Sequence, residues 1–268
     1  MSAWASELWV FPDLPTVSRF AADLFSRIAR ESVAERGTFL AALSGGGTPL
    51  ALYRLLALPP FRDELPWEAM HFFWGDERCV PPDDPQSNYR QAWDAWLSQV
   101  PLPAENIHRA KGELGPTTAA ADYLRQLREF AAPGASTALS VDLDYPRFDL
   151  VLLGLGADGH TASLFPGSQV TADSPALAVT ANYQGRPADR VTLTPQVFNF
   201  ARNVFFLVVG EEKAAALAAT LEGRRDLVTY PAQRIEPAQG KVWWLVDVSA
   251  ARLLPERIKG ITEYCVDI

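Results

Sequence analysis

Three histidines occur among the 268 residues, and one of them, His160, closes the segment Gly154-Leu-Gly-Ala-Asp-Gly-His160. Imidazole takes up and returns protons near neutral pH, so a histidine on a glycine-rich loop is a natural general acid or base. Asp158, two residues before it, is placed to orient that ring. His71 lies within an apolar run and reads as a core residue, and His108 follows a proline-rich stretch without chemical context. No set of His, Asp and Glu shows metal-ligand spacing, so no metal is expected.

Three further loops combine glycine with polar or ionisable groups: Ser44-Gly-Gly-Gly-Thr48, Gly75-Asp-Glu-Arg78 and Gly210-Glu-Glu-Lys213. In the first, Ser44, Gly45, Gly46, Gly47 and Thr48 allow a tight turn that presents backbone N–H groups to an anion. Thr48 suits a helix N-cap and Pro49 the first helical position, which would aim a positive helix end at the loop. No Lys-Ser/Thr pair follows the last glycine, so this is not a nucleotide P-loop. The plainer alternative is a strand-to-helix turn. Arg78 would clamp a phosphate or an oxyanion, or else join a surface ion pair. Asp76 would order an imidazole or a substrate hydroxyl. Lys213, in the expected first turn of a helix, opposes the helix dipole. Such a broken local rule fits either a phosphate contact or a solvated lysine beside two glutamates.

Each loop follows an apolar, strand-sized run and leads into a helical pattern, which predicts βαβ units. Strands are expected at 38–43, 70–74, 148–153, 204–209 and 242–247, the last closing the pattern. Helices are expected at 16–35, 48–56, 88–97, 117–131 and from Lys213 onward. The fold class is therefore α/β, with a mostly parallel twisted sheet, helices on both faces, and one domain spanning 1–268. In such sheets ligands bind beyond the carboxyl ends of the strands, where all four loops fall.

The pattern Gly154-x-Gly156-x-x-Gly159 also matches a dinucleotide fingerprint. Pro166-Gly167 stops the chain too soon for the long helix such a site needs, and Asp158 would oppose a pyrophosphate. A net charge of −8 excludes a broad basic surface for nucleic acid or anionic membranes. No apolar run reaches the roughly 18–20 residues that span a bilayer. The start, Met-Ser-Ala-Trp-Ala-Ser-Glu, lacks the regions of a secretion signal. Cys79 and Cys265 are too few for a disulfide framework. Arg78 beside Cys79 would favour a thiolate, although an incidental thiol is the simpler reading. A cytoplasmic protein is expected, monomeric by default.

Taken in order, the segments Ser44-Gly-Gly-Gly-Thr-Pro49, Trp74-Gly-Asp-Glu-Arg78, Ser87-Asn-Tyr89, residues 154–166, Arg190-Val-Thr-Leu-Thr194 and Gly210-Glu-Glu-Lys213 resemble the 6-phosphogluconolactonases. That family shares a superfamily with glucosamine-6-phosphate deaminase/isomerase. The resemblance implies a modified Rossmann-like domain that hydrolyses 6-phosphoglucono-δ-lactone in the pentose phosphate pathway, without a cofactor. It implies His160 as the base for water attack, with Asp158 or Asp76 orienting it. The phosphate would be held by residues 44–48, Lys213, and Arg78 or Arg190. The deaminases carry a Glu five residues after the histidine, where this chain has Phe165, so sugar-ring opening loses a proton carrier. Ser163 lies near but without a Gly-x-Ser-x-Gly elbow, which argues against a serine nucleophile.

Overall fold

The computed structural model describes residues 5–131, 143–168 and 174–256. Its main sheet holds six strands: β1 (Ala5–Phe11), β2 (Phe39–Leu43), β3 (Met70–Trp74), β5 (Leu150–Gly154), β8 (Asn203–Val208) and β9 (Lys241–Asp247). Between β3 and β5 runs a short strand, β4 (Asp76–Arg78), and before β8 come β6 (Ala176–Thr180) and β7 (Asp189–Leu193). The main sheet has the order β1-β9-β8-β5-β2-β3 and every pairing in it is parallel. The five expected strands are all present. The pattern does not close at β9, however, because β1 pairs along its outer edge.

Nearly every residue of β2, β5 and β8 is buried, as a sheet covered on both faces requires. One face packs on α1 (Leu14–Arg36), α2 (Gly47–Leu56) and α4 (Asn88–Ala95), through residues such as Phe25, Leu52 and Ala92. The other packs on α5 (Pro116–Glu129), α6 (Pro195–Phe200) and α7 (Ala214–Glu222), through Tyr123, Phe198 and Leu217. A further single-turn helix, α3 (Phe61–Glu64), lies between α2 and β3. The ends of α1 follow local rules. The Asp13 carboxylate accepts from Thr16 N–H at 2.9 Å, and Gly37 at φ 76° ends the helix in the left-handed region.

A second, antiparallel sheet has the order β4-β7-β6 and was not expected. The chain leaves the main sheet at Gly75, whose N–H donates to Leu43 O while its carbonyl accepts from Leu193 N–H. Gly75 thus joins the two sheets.

His71 is not an isolated core residue. Its Nδ1 lies 3.2 Å from His108 Nε2, one ring donating to the other, and both rings pack on Phe130. Burial lowers both pKa values, that of His108 to about 4, with the neighbouring His71 adding to the fall. A histidine depressed in the folded state leaves the unfolded chain binding more protons. Its contribution to stability is complete above about 6.5 and is lost as pH falls toward 4. Relative to His108→Phe, the wild type is expected to lose about 1–2 kcal/mol of unfolding free energy between those limits, discounted for the partly exposed rings. Urea denaturation at pH 7 and pH 4.5 checks this, and equal differences at both pH values would remove the pair as its cause.

Candidate active site

The connection after β2 leads toward β3 on one side, whereas that after β5 leads toward β8 on the other. The crevice between the carboxyl ends of β2 and β5 is therefore the topological switch point of the sheet. A cleft of about 320 Å³ opens there. Ser44, Gly45, Gly46, Gly47, Thr48, Asp76, Arg78, His160, Arg190 and Lys213 all line it. Asp158 does not, and instead supports His160.

The glycine loop differs from expectation in its helix start. The N-cap of α2 is Gly46, at φ 102°, and Thr48 lies inside the first turn without capping it. Glycine accepts that positive φ at no steric cost, so the helix begins before Thr48. Pro49 falls third in the helix, still within the turn whose N–H groups lack intrahelical acceptors. The Ser44 backbone is held by Tyr53: its N–H donates to the phenol oxygen, and the phenol donates back to Ser44 O at 2.7 Å. The positive end of α2 faces the cleft.

In the loop after β5, His160 Nδ1 lies 2.6 Å from Asp158 Oδ1, which also accepts from the His160 backbone N–H. With Nδ1–H donating to a carboxylate, Nε2 keeps its lone pair and serves as the proton acceptor. Burial raises the pKa of Asp158, but the hydrogen bond and charge of His160 outweigh it and hold the carboxyl below its usual value. Gly156 makes this pairing possible, since a Cβ there would overlap both the His160 ring and Asp158 Oδ1. The ring is flanked by Phe165 and Tyr183, with centroids at 4.7 and 4.6 Å.

Asp76 does not touch His160 among the described contacts. Its Oδ2 accepts from Ser163 Oγ at 2.6 Å, and its Oδ1 accepts from Asn88 Nδ2 at 3.3 Å. Ser163, fully buried and donating to this carboxylate, has no nucleophilic position. Glu77 is buried and organises the loop that follows it. One oxygen accepts from Arg78 N–H and Asn88 N–H, the other from Ser87 Oγ and Tyr89 N–H. Burial pushes its pKa up to about 7 against the pull of these donors.

Arg78 and Arg190 are cross-strand partners in β4 and β7, both almost wholly buried. Arg78 is therefore no surface residue; its Nη1 donates to Gln86 O. Its Nε, and the Nε and Nη2 of Arg190, are buried without a hydrogen-bond partner among the described residues. Burial lowers the pKa of Arg190, Arg78 and Arg186 add to the fall, and Asp76, 3.9 Å away, opposes it. Like charges directly opposite one another destabilise a sheet, and buried donors left unpaired cost more. An anion bound there would relieve both.

Lys213 ends a 3₁₀ turn (Glu211–Lys213) and stands at the N-cap of α7, immediately before the helix rather than within its first turn. Cys79 is no thiolate: burial first, then Asp189 and Glu77, push its pKa up to about 11. Asn88, Tyr183 and Arg186 also line the cleft, beyond the residues expected there from the sequence. The last two sit on the connection between β6 and β7. A signal for it existed, in Gln184-Gly185 between two runs rich in β-branched residues.

The fold and cleft are those of an α/β enzyme with its site at the switch point of a parallel sheet. The chain belongs to the family described as glucosamine-6-phosphate isomerases/6-phosphogluconolactonase, which matches residues 12–244. It is 39% identical over 244 residues to a 6-phosphogluconolactonase of Nostoc sp., covering 90% of this chain and 95% of that protein. A 6-phosphogluconolactonase of Synechocystis sp. is 44% identical over 225 residues, covering 84% and 88%. The solved structure of 6-phosphogluconolactonase from Trypanosoma brucei superposes with a TM-score of 0.83 at 27% identity, covering 94% of this chain and all of that one. A monomeric glucosamine-6-phosphate deaminase shares the fold, with a TM-score of 0.76 at 21% identity.

Proposed function

We propose that this chain is a lactone hydrolase that converts 6-phospho-D-glucono-1,5-lactone to 6-phosphogluconate, in the pentose phosphate pathway. One observation carries the reading at the level of the site. His160, held by Asp158, opens into the same cleft as Arg78 and Arg190, which keep three buried N–H groups without a partner among the described residues. Anion recognition and a proton acceptor thus meet in one place.

In this reading the phosphate binds among residues 44–48 and Lys213, with Arg78 or Arg190 reaching it or the oxyanion. Anchoring a group remote from the reaction converts binding energy into orientation of the lactone carbonyl. His160 Nε2 removes a proton from water as the oxygen attacks C1. The tetrahedral oxyanion forms near fixed donors. As the bond from C1 to the ring oxygen breaks, the imidazolium returns its proton to that oxygen. The products are one carboxylic acid and one hydroxyl on the same molecule, and no cofactor enters. Every group invoked comes from one chain, which suits a monomer built as one domain. No helix among the described residues is long and apolar enough to cross a membrane, and the reading places the reaction in the cytoplasm.

The test is hydrolysis of freshly generated lactone, corrected for the spontaneous rate, beside ammonia release from glucosamine 6-phosphate. Rapid lactone turnover with no ammonia is expected. Ammonia release would move the chain to the deaminases, and binding of 6-phosphogluconate without turnover would make it a sensor. Lys213→Ala should mainly raise KM; a loss of kcat at constant KM would move Lys213 from binding to the chemical step.

A further inference from the structure

The Phe165 ring touches three groups of the cleft. It is nearly buried, at 7% exposure. The His160 imidazole lies against it, with centroids 4.7 Å apart and planes inclined by 31°. The Tyr183 ring meets it at 5.6 Å, and the Arg190 guanidinium carbon stands 5.3 Å from its centre. Tyr183 also meets the imidazole edge-on at 72°, while Asp158 holds Nδ1. The groups shown against His160 are thus one carboxylate, one phenol and one phenyl ring, the last of which also meets Arg190.

An aromatic ring attracts a cation through its quadrupole, and more strongly where water is excluded. His160 becomes such a cation when it takes the proton from water, whereas Arg190 is one permanently. We infer that Phe165 is a positioning residue for the hydrolysis: its ring fixes the imidazole plane and favours the imidazolium. The inference rests on the role given to His160 above. It assigns the position a positive task that an aliphatic side chain of equal bulk does not perform. Removing the ring disfavours the cation, because the imidazolium loses that attraction.

The experiment compares the purified full chain with Phe165→Leu, Phe165→Met and Phe165→Tyr. Titration of the histidine rings by NMR is combined with kcat/KM as a function of pH. In the Leu and Met variants the His160 midpoint should fall by about half a pH unit, the scale of one such contact. The acid limb of kcat/KM should move with it, and kcat should drop about tenfold with KM within about twofold, short of losing the base itself. Tyr should restore all three. The paired His71 and His108 are internal references that stay in place, and dispersed spectra confirm folding. A midpoint and acid limb unmoved in both ring-less variants overturn the inference, as does a rise in KM at constant kcat. The NMR titration needs no turnover. An inert wild type would count against the lactonase reading alone, and an active wild type with an unmoved midpoint against Phe165 alone.

Discussion

Replacing His160 with alanine is expected to lower kcat/KM for fresh 6-phosphogluconolactone by about 10²–10⁴-fold, the range of a general base. The geometry sets that size. Asp158 occupies Nδ1, so Nε2 alone faces the cleft as an acceptor. Alanine leaves the glycine loop and the arginines in place, so substrate still binds and KM changes little. What remains is catalysis by orientation and oxyanion stabilisation. Asp158→Asn should show a smaller loss, because the ring stays but its tautomer is no longer enforced. The measurement is an initial rate on lactone generated in the cuvette, with the uncatalysed rate subtracted. A loss of less than about tenfold would show that some other group activates the water.

The second large effect belongs to a residue that touches no substrate. Glu77→Ala withdraws the shared acceptor of Arg78 N–H, Asn88 N–H, Tyr89 N–H and Ser87 Oγ. A buried donor left unpaired costs about 1–3 kcal/mol, and water entering the vacated volume recovers part of it. The expected loss is about 3–5 kcal/mol, or a Tm lower by on the order of 10 °C. Activity should fall too, since Arg78 and Asn88 are positioned by these bonds. Glu77→Gln keeps an acceptor oxygen and should lose less on both counts. Thermal unfolding with kinetics at 15 °C separates the effects. A Tm within about 2 °C of wild type would mean that the 77–89 loop is held by other contacts.

What was legible in the sequence had local causes. The five strands that the sequence marks, β2, β3, β5, β8 and β9, are continuous apolar runs because nearly all their residues are buried. The loop at 154–160 was legible because its glycines and its Asp-Gly-His order each have a local reason. Even there, Gly-x-Gly-x-x-Gly alone pointed to a dinucleotide, and only Pro166-Gly167 and Asp158 argued otherwise. The small sheet was not legible. β4 consists of Asp76, Glu77 and Arg78, which no hydropathy pattern marks as a buried strand. Its partners in β7 lie more than 110 residues away along the chain. β1 was missed for a different reason: Ser6 and Glu7 interrupt its apolar pattern at an edge that only β9 covers. Of the site, residue types could be read, but which acid meets His160 required the fold. Asp158 does, and Asp76 is taken by Ser163 and Asn88.

The junction at Gly75 divides the labour of the cleft. The imidazole pair and the glycine loop hang from the large parallel sheet, whereas Arg78, Arg190 and the stretch bearing Tyr183 hang from the small one. The proposed base and the proposed phosphate loop therefore stand on one sheet, and the two buried arginines on the other, across one shared wall. For an engineer, the stretch between β6 and β7 offers a way to reshape the arginine side of the cleft, provided Tyr183 stays, because its ring meets the His160 imidazole.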